Sequence, residues 1–392
     1  MKRILIANVG STSYKYTLFD ASADGSYSEL LRGGMDRVSD YDSAIGKSLE
    51  ELRGKGFDPL EIDAVAFKTV LGKNLSGLRD ADEKVLDALD AMAFVAPAHN
   101  PPYAAAIRAF GRVLPSAKKV VLFETSFYQW ADAPWKRYAV PQSWDDLGIR
   151  RNGFHGASHK FAAERAAELC GRQDAAESAR MLYVRGTRAE LETPFRLVNC
   201  HLGGSSSVCG ILDGAAIGAS MGFTPQSGLP QNNRVGDLDA MAVPYAMAML
   251  KITPEEAMRQ LSKEGGLLGI SGVSNDMRDV KAAADSGDER AKLAIDVLVY
   301  ATKSYIGQFM VQLGGLDAVS FSGGIAENNP WLRERILKSL EGFGLVLDGA
   351  ANAAAVKRDA VISASDSKIK AAVVVANEEL VIVREAAKYL EK

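Results

Sequence analysis

At 392 residues, with 47% hydrophobic and 24% charged residues and a formal net charge of −3, the chain has an ordinary globular composition and the length for two domains. The near-neutral charge leaves no electrostatic footprint for nucleic acid or an anionic membrane, so neither is expected as a partner. No apolar stretch approaches the roughly 20 residues of a membrane helix.

The apolar run after Met1-Lys2-Arg3 ends at Asn8, too short for a signal-peptide core, so export is not expected. Cys170, Cys200 and Cys209 lie in no metal-ligand spacing and fit a reducing cytoplasm.

Arg3 to Asp20 reads as a β-hairpin with a glycine-serine tip, two apolar runs flanking Gly10-Ser11-Thr12-Ser13. Leu197 to Asp213 repeats it: 201 minus 8 and 213 minus 20 both give 193, so Asn8 aligns with His201 and Gly10 with Gly203. Asp63-Ala-Val-Ala-Phe67 is echoed at Asp317-Ala-Val-Ser-Phe321. Two copies near half the chain length suggest two related halves; two unrelated hairpins with glycine-rich turns are the alternative. Facing tips across a cleft could hold a phosphate chain through backbone N–H groups, hydroxyls and the charge of Lys15.

Tyr41 to Gly54 is helical in pattern, with Ile45, Leu49 and Leu52 on one face. Ile62 to Val70 is a predicted strand delivering Lys68 and Val70 to a loop, and Asp80 to about Val95 a predicted helix. A proline-bracketed turn around His99 leads to a helix over Tyr103 to Val113. Lys118 to Phe123 is a predicted strand ending at Glu124, where α/β proteins place ligand-facing carboxylates.

His155, between Gly153 and Gly156, precedes a helix over Lys160 to Cys170 that Ser158 could cap. It reads either as a ligand-facing donor or as a turn histidine bonded to a carbonyl. Ala216 to Arg234 reads as a long irregular loop, the kind that is functional or mobile. Asp237 could cap a following helix to about Leu250, placing Arg234 beside a helix N-terminus that favours an anion. The longest predicted helix runs from Asp288 to Leu313, Ala318 to Phe321 is a strand, and Ser322-Gly-Gly-Ile-Ala-Glu-Asn328 a turn that lets a nucleotide approach the backbone. Ala371 to Val375 is a last strand, with a helix over Leu380 to Leu390.

The chain carries, in this order, Asn8-Val-Gly-Ser-Thr-Ser-Tyr-Lys15, Pro97-Ala-His-Asn-Pro101, Gly153-Phe-His-Gly-Ala-Ser-His159, Met221-Gly-Phe-Thr-Pro225, Arg234-Val-Gly-Asp-Leu-Asp239, Ser271 to Asp279, Gly323-Gly-Ile325 and Asn377-Glu-Glu379. Together these stretches closely resemble the acetate kinase family, ATP-dependent kinases of small carboxylates within the sugar kinase, heat-shock protein 70 and actin superfamily. The resemblance implies an α/β fold of duplicated ribonuclease-H-like, actin-like domains, mixed sheets flanked by helices around an interdomain cleft. The expected domains are 1–148 with 380–392, and 149–379.

By the same resemblance, the cofactors would be ATP/ADP and Mg²⁺, with Asn8 and Glu378 holding the metal. Ser11, Ser13 and Lys15 would line the phosphate region, with His201, Gly203 and Gly204 on the second tip. Asp276, Arg278, Gly323, Gly324, Ile325 and Asn328 would line the nucleotide pocket. His155 would stabilise the phosphoryl group in flight, Arg234 would bind the carboxylate or the transferring phosphate, and Lys68 and Glu124 complete the expected catalytic set. Val70, Ala98, Phe154 and Pro225, with Lys68, would surround the substrate. A cytoplasmic homodimer is expected, since relatives dimerise through the second domain.

Six departures cluster in this site. Lys68 stands for the arginine of the family's His-Arg-Val-Val-His-Gly-Gly stretch, losing the two-pronged grip on a carboxylate. Glu124 stands for an aspartate, Gly204-Ser205 for Asn-Gly, Asn232-Asn233 for Gly-Thr, Ala326 for glycine and Ala98 for leucine. Charge is kept at Lys68 and Glu124, so an acyl kinase for a carboxylate larger or more polar than acetate is expected. The alternatives are a nucleotide-binding regulatory homologue, or a kinase of another acceptor using Glu124 as base.

Overall fold

The computed structural model describes residues 1–10, 13–97 and 99–391. The chain divides into two compact units: Met1–Gln129 with His155–Ala157 and Asn377–Lys392, and Trp130–Phe154 with Ser158–Ala376.

Unit 1 is built on a six-stranded sheet in the order β3-β2-β1-β4-β6-β5. Its strands are β1 (Lys2–Val9), β2 (Ser13–Ala21), β3 (Tyr27–Asp36), β4 (Ala64–Thr69), β5 (Leu78–Asp80) and β6 (Lys118–Phe123). The meander β1-β2-β3 is antiparallel, β1, β4 and β6 run parallel, and β5 is an antiparallel edge. Helices Tyr41–Gly54 and Asn100–Val113 cover one face, where Leu5, Val65, Phe67, Val121 and Phe123 meet Ile45, Leu49, Ile107 and Phe110 in a continuous core. The C-terminal helix Glu378–Leu390 packs against β1 and β4.

Unit 2 repeats the plan strand for strand in the order β11-β12-β10-β7-β8-β9, with the same parallel and antiparallel pairings. Here the strands are β7 (Arg196–Leu202), β8 (Ser206–Leu212), β9 (Ala215–Ala219), β10 (Ala318–Ser322), β11 (Ala360–Val361) and β12 (Lys370–Val373). Helix Glu289–Gln312 packs across β7 and β8, contributing Ile295, Leu298, Ile306 and Phe309 to the core.

The repeated Asp-Ala-Val motif has one physical role in both halves. Asp63 accepts from the Arg3 N–H at 2.7 Å while its own N–H donates to the Arg3 carbonyl at 2.9 Å; Asp317 does the same with Arg196, at 2.7 and 2.9 Å. Each aspartate thus clamps the first parallel strand pair of its sheet. The hairpins differ by one residue: β1–β2 closes at Val9↔Tyr14 and β7–β8 at Leu202↔Ser206, so the second tip is shorter and the gap-free alignment slips within it.

Several local expectations need correction. Ser158 does not cap its helix, which begins at Gly156, and Asp80 ends strand β5 rather than opening a helix; Glu83–Ala91 is helical, with Asp82 as its cap. The segment read as irregular from Ala216 contains β9, whose small residues carry little β-signal. Asp237 does not cap the next helix, which spans Ala242–Leu250; its carboxylate accepts from the Gly228 N–H at 2.8 Å and from the Tyr305 hydroxyl. Arg234 therefore does not stand at the N-terminus of that helix; its loop instead meets the start of helix Gly266–Ser271, where the Gly265 and Leu267 N–H groups donate to the Asn233 and Gln231 carbonyls.

Candidate active site

In unit 1, the ends of parallel strands deliver the charged groups. Lys68 lies near the end of β4 and Glu124 follows β6; the Glu124 N–H donates to the Thr69 carbonyl at 2.8 Å, continuing the ladder one step. Glu378 is in the first turn of the C-terminal helix, which Asn377 caps. Lys68 Nζ lies 3.0 Å from Glu124 Oε1 and 2.8 Å from Glu378 Oε1. One ammonium thus serves two carboxylates, and Glu124 Oε2 is buried without a hydrogen-bond partner. Burial opposes the Lys68 charge, but Glu124 and Glu378 outweigh it and hold its pKa well above the ordinary lysine value. Burial pushes the Glu124 carboxyl up; Lys68 opposes that shift and the negative Glu378 reinforces it.

Asn8, at the end of β1, accepts from the Tyr103 hydroxyl at 3.3 Å. Burial raises Tyr103 to about 12, and the ring lies in the field of Lys68, Glu378 and Glu124, tying Asn8 to the charged cluster. Sequence reasoning missed Tyr103, because on an amphipathic helix it is indistinguishable from a core aromatic. At the first tip, Gly10 N–H donates to the Ser13 carbonyl at 2.8 Å, and a Cβ on Gly10 would press on Ser13 Oγ at 2.6 Å. Lys15 is exposed on β2 opposite Asn8; Val70 is buried after β4. Ser11 and Ala98 lie outside the described residues.

His155 has a left-handed backbone, φ 58°, a conformation costly for a residue with a side chain. The next residue explains it: Gly156 N–H donates to the Glu124 carbonyl at 3.0 Å, and a Cβ at 156 would collide with that oxygen. His155 is thus held next to the end of β6. Unit 1 gathers Asn8, Lys68, Glu124, His155 and Glu378.

In unit 2, the second tip is locked by Ser206, whose hydroxyl accepts from the Gly203 N–H at 3.2 Å and donates to the Gly203 carbonyl at 3.0 Å. Ser205 Oγ donates to Gln231 Oε1 at 2.8 Å, and Arg234 Nη1 donates to both, at 3.1 and 3.3 Å. Gln231 is itself fixed by a hydrogen bond that its Nε2–H donates to the Pro225 carbonyl at 2.6 Å. Arg234 is therefore pinned to the tip through one nitrogen, while Nε and Nη2 have no protein partner among the described residues. Burial lowers its pKa from the usual guanidinium value.

The Gly-Gly turn follows β10, next to β7. Gly323 has φ 84°, and a Cβ there would lie 2.7 Å from the Leu202 carbonyl, so only glycine fits. Gly324 opens the short helix Gly324–Asn328, and Asn328 donates to its carbonyl at 2.7 Å. A Cβ added at Gly203 would lie 3.2 Å from Ser205 O, 3.9 Å from His201 Nε2 and 4.0 Å from Gly324 N, so these atoms border the space beside it. Unit 2 so joins His201, Gly203, Gly204, Gly323, Gly324, Ile325 and Asn328. Asp276 and Arg278 pair with each other at the start of helix Met277–Asp285, where Asp276 is the cap. Phe154 is buried and Pro225 half-buried, both in unit 2.

The oxygen set of unit 1 suits a hard cation. Mg²⁺ commonly takes one or two protein oxygens and completes its shell with water and phosphate, and Asn8 Oδ1 and Glu378 are such oxygens, with the orphaned Glu124 Oε2 in the same cluster. Among the described residues no group of three or more His, Cys, Asp or Glu could hold a metal by itself.

A duplicated actin-like α/β fold with glycine-rich tips and a basic, half-buried guanidinium defines the class of the molecule as a kinase-type phosphotransferase. The chain belongs to the acetokinase family, whose model matches residues 32–384. It is 36% identical to the acetate kinase of Caldicellulosiruptor saccharolyticus over the whole of both chains. Among solved structures it is similar to the acetate kinase of Porphyromonas gingivalis (TM-score 0.87, 28% identity, all of both chains). It is also similar to a propionate kinase of Francisella tularensis (TM-score 0.83, 28% identity, 98% of this chain and 99% of the other). The chain is accordingly an acetate kinase-like phosphotransferase with a carboxyl group as acceptor.

Proposed function

We propose that the chain transfers the γ-phosphoryl group of ATP reversibly to a small carboxylate larger or more polar than acetate, giving an acyl phosphate and ADP. The carrying observation is Arg234: one nitrogen is anchored on Ser205 and Gln231, and two donors remain for an anion. The carboxylate is already ionised and attacks phosphorus in line, forming one O–P bond as the bond to the ADP oxygen breaks. No proton is removed, so the protein's task is alignment and charge stabilisation.

In this reading Arg234 holds the carboxylate or the transferring phosphoryl group, and His155 donates to a phosphoryl oxygen. Ser11, Ser13 and Lys15 on one tip, and His201, Gly203 and Gly204 on the other, bind phosphates. Asp276, Arg278, Gly323, Gly324, Ile325 and Asn328 border the nucleoside. Val70, Ala98, Phe154 and Pro225 surround the acceptor's carbon chain. Lys68 is committed to Glu124 and Glu378, and the buried Glu124 Oε2 suits an acceptor that brings its own hydrogen-bond donor. Asn8 and Glu378 would hold Mg²⁺, which neutralises phosphate charge.

The partner we assign is a second copy of the chain. Helix Ala242–Leu250 is apolar yet has no buried residue, and Met241, Tyr245, Met249 and Leu250 are all exposed. Among the described residues no helix is long and apolar enough to cross a membrane; we place the enzyme in the cytoplasm on its cysteine usage.

The test is hydroxamate trapping of acyl phosphate across unsubstituted, hydroxy- and amino-substituted carboxylates, with ATP, other nucleotides and pyrophosphate as donors. The expected result is acyl phosphate with ATP and faster turnover of a substituted or longer acid than of acetate. Nucleotide binding without acyl phosphate from any pair would establish a regulatory homologue instead.

A further inference from the structure

Behind the second tip lies a buried polar network in which Asn199 and Ser322 link His159 to His201. Asn199, fully buried on β7, donates through Nδ2 to His159 Nδ1 at 2.8 Å and to Ser322 Oγ at 3.3 Å, and its Oδ1 accepts from the Ser320 hydroxyl at 2.8 Å. His159 Nε2 lies 2.8 Å from Ser207 Oγ, and Ser322 Oγ lies 3.2 Å from His201 Nδ1.

A neutral imidazole has one donor and one acceptor nitrogen. His159 is fully buried and held neutral by desolvation, its pKa well below the ordinary value. Since Nδ1 accepts from Asn199, its proton is on Nε2 and is donated to Ser207. Both Asn199 amide hydrogens are then used, and Ser322 Oγ has accepted one of them. The Ser322 hydroxyl hydrogen is also buried, and His201 Nδ1 is its remaining partner among the described residues. Leaving that hydrogen unbonded would cost about 1–3 kcal/mol. His201 Nδ1 is therefore an acceptor, and the ring proton is on Nε2. That nitrogen borders the space beside Gly203 that the Gly324 backbone N also borders.

We infer that Ser320, Asn199, His159 and Ser322 form a tautomer lock, which makes His201 present an Nε2–H donor, and not a lone pair, to a phosphate oxygen of the bound nucleotide. Ser322 and Asn199 are thus positioning residues acting through His201. The phosphate contact rests on the ATP reading above; the lock itself does not. An unlocked ring spends part of its time as the other tautomer, whose Nε2 lone pair repels an anion.

Two measurements test this. Long-range ¹H–¹⁵N correlation on protein labelled at its four histidines, with His201 assigned by His201→Gln, reads each tautomer directly. The expected spectrum has a pyridine-type Nδ1 and a pyrrole-type Nε2 at both His159 and His201. A pyrrole-type Nδ1 at His201 would mean that Asn199 is turned over and the network runs in reverse, overturning the lock even if every variant fails to fold. In Ser322→Ala, His201 should become a tautomer mixture, with KM for ATP rising about three- to tenfold, the worth of one hydrogen bond, and kcat little changed. Ser322→Thr, which keeps the hydroxyl, should restore both. An unchanged KM in a folded Ser322→Ala protein would overturn the functional role of the lock. Wild-type protein that binds no nucleotide would instead sink the ATP reading, and the phosphate role of His201 with it, while the tautomer spectrum still decides the lock.

Discussion

Lys68 and Glu124 form an ion pair with Nζ 3.0 Å from Oε1, and the sheet itself sets that distance. Lys68 pairs with Leu122 in the parallel register of β4 and β6, so Glu124 falls two residues further on and on the same face. Glu378 reaches the same ammonium from the C-terminal helix.

Removing the cation should be costly. Lys68→Met leaves two carboxylates facing each other, one of them buried, and should destabilise the protein by about 3–5 kcal/mol. Urea denaturation at pH 7 measures this. A smaller loss at pH 5 is expected, since protonation then relieves the repulsion; equal losses at both pH values would contradict the pairing.

Reversing two departures together tests whether the cluster tunes acceptor choice. Lys68→Arg combined with Glu124→Asp restores a planar fork and shortens the carboxylate by one methylene. Turnover of acetate should improve relative to longer or substituted acids in the hydroxamate assay. Unchanged selectivity would move the specificity determinant elsewhere.

Arg234 and Ser205 should separate a binding group from its anchor. Arg234→Ala removes the anion donor and should lower kcat/KM by about 10²–10³-fold. Ser205→Ala leaves Gln231 as the other anchor, so the loss should be about two- to tenfold. Steady-state kinetics of both variants check the ratio, and equal losses would show that Ser205 touches substrate itself.

The duplication was legible because its signals are local: two hairpins and an Asp-Ala-Val motif that clamps each first parallel strand pair. Strand β9 was not, since Ala215, Ala216 and Ala219 pack well without a β-branched pattern. Arg234 could be named from its motif, but its anchor could not. Ser205 is 29 residues away and Gln231 sits in a loop without periodicity, so only tertiary packing joins them. Tyr103, Asn199 and Ser322 were invisible for the same reason: each is an ordinary residue for its element, and its role lies in the hydrogen bond it makes across the fold.

The exposed helix Ala242–Leu250 predicts an association that can be broken. Met241→Glu combined with Tyr245→Glu adds two charges to the apolar face without touching the core, as both side chains are exposed. Sedimentation equilibrium should show twice the chain mass for the wild type and one chain mass for the variant, with circular dichroism unchanged. A monomeric wild type would remove the second copy as the occupant of this face.

His159 should also make stability depend on pH. Its pKa is held well below the ordinary 6.5 by burial, with His201 acting in the same direction. In the unfolded chain the ring takes up a proton near pH 6.5, whereas the native ring stays neutral, so below that pH the unfolded state binds more protons. Stability is therefore full above the unfolded value and falls as the pH drops toward the native value, by up to about 1.4 kcal/mol per pH unit from this one group. Urea midpoints at pH 7.5 and 5.5 should show the decline, and His159→Gln, destabilised at pH 7.5 by the altered network, should show a smaller difference between the two. A variant with the full wild-type slope would mean that His159 is not the buried group being protonated on unfolding.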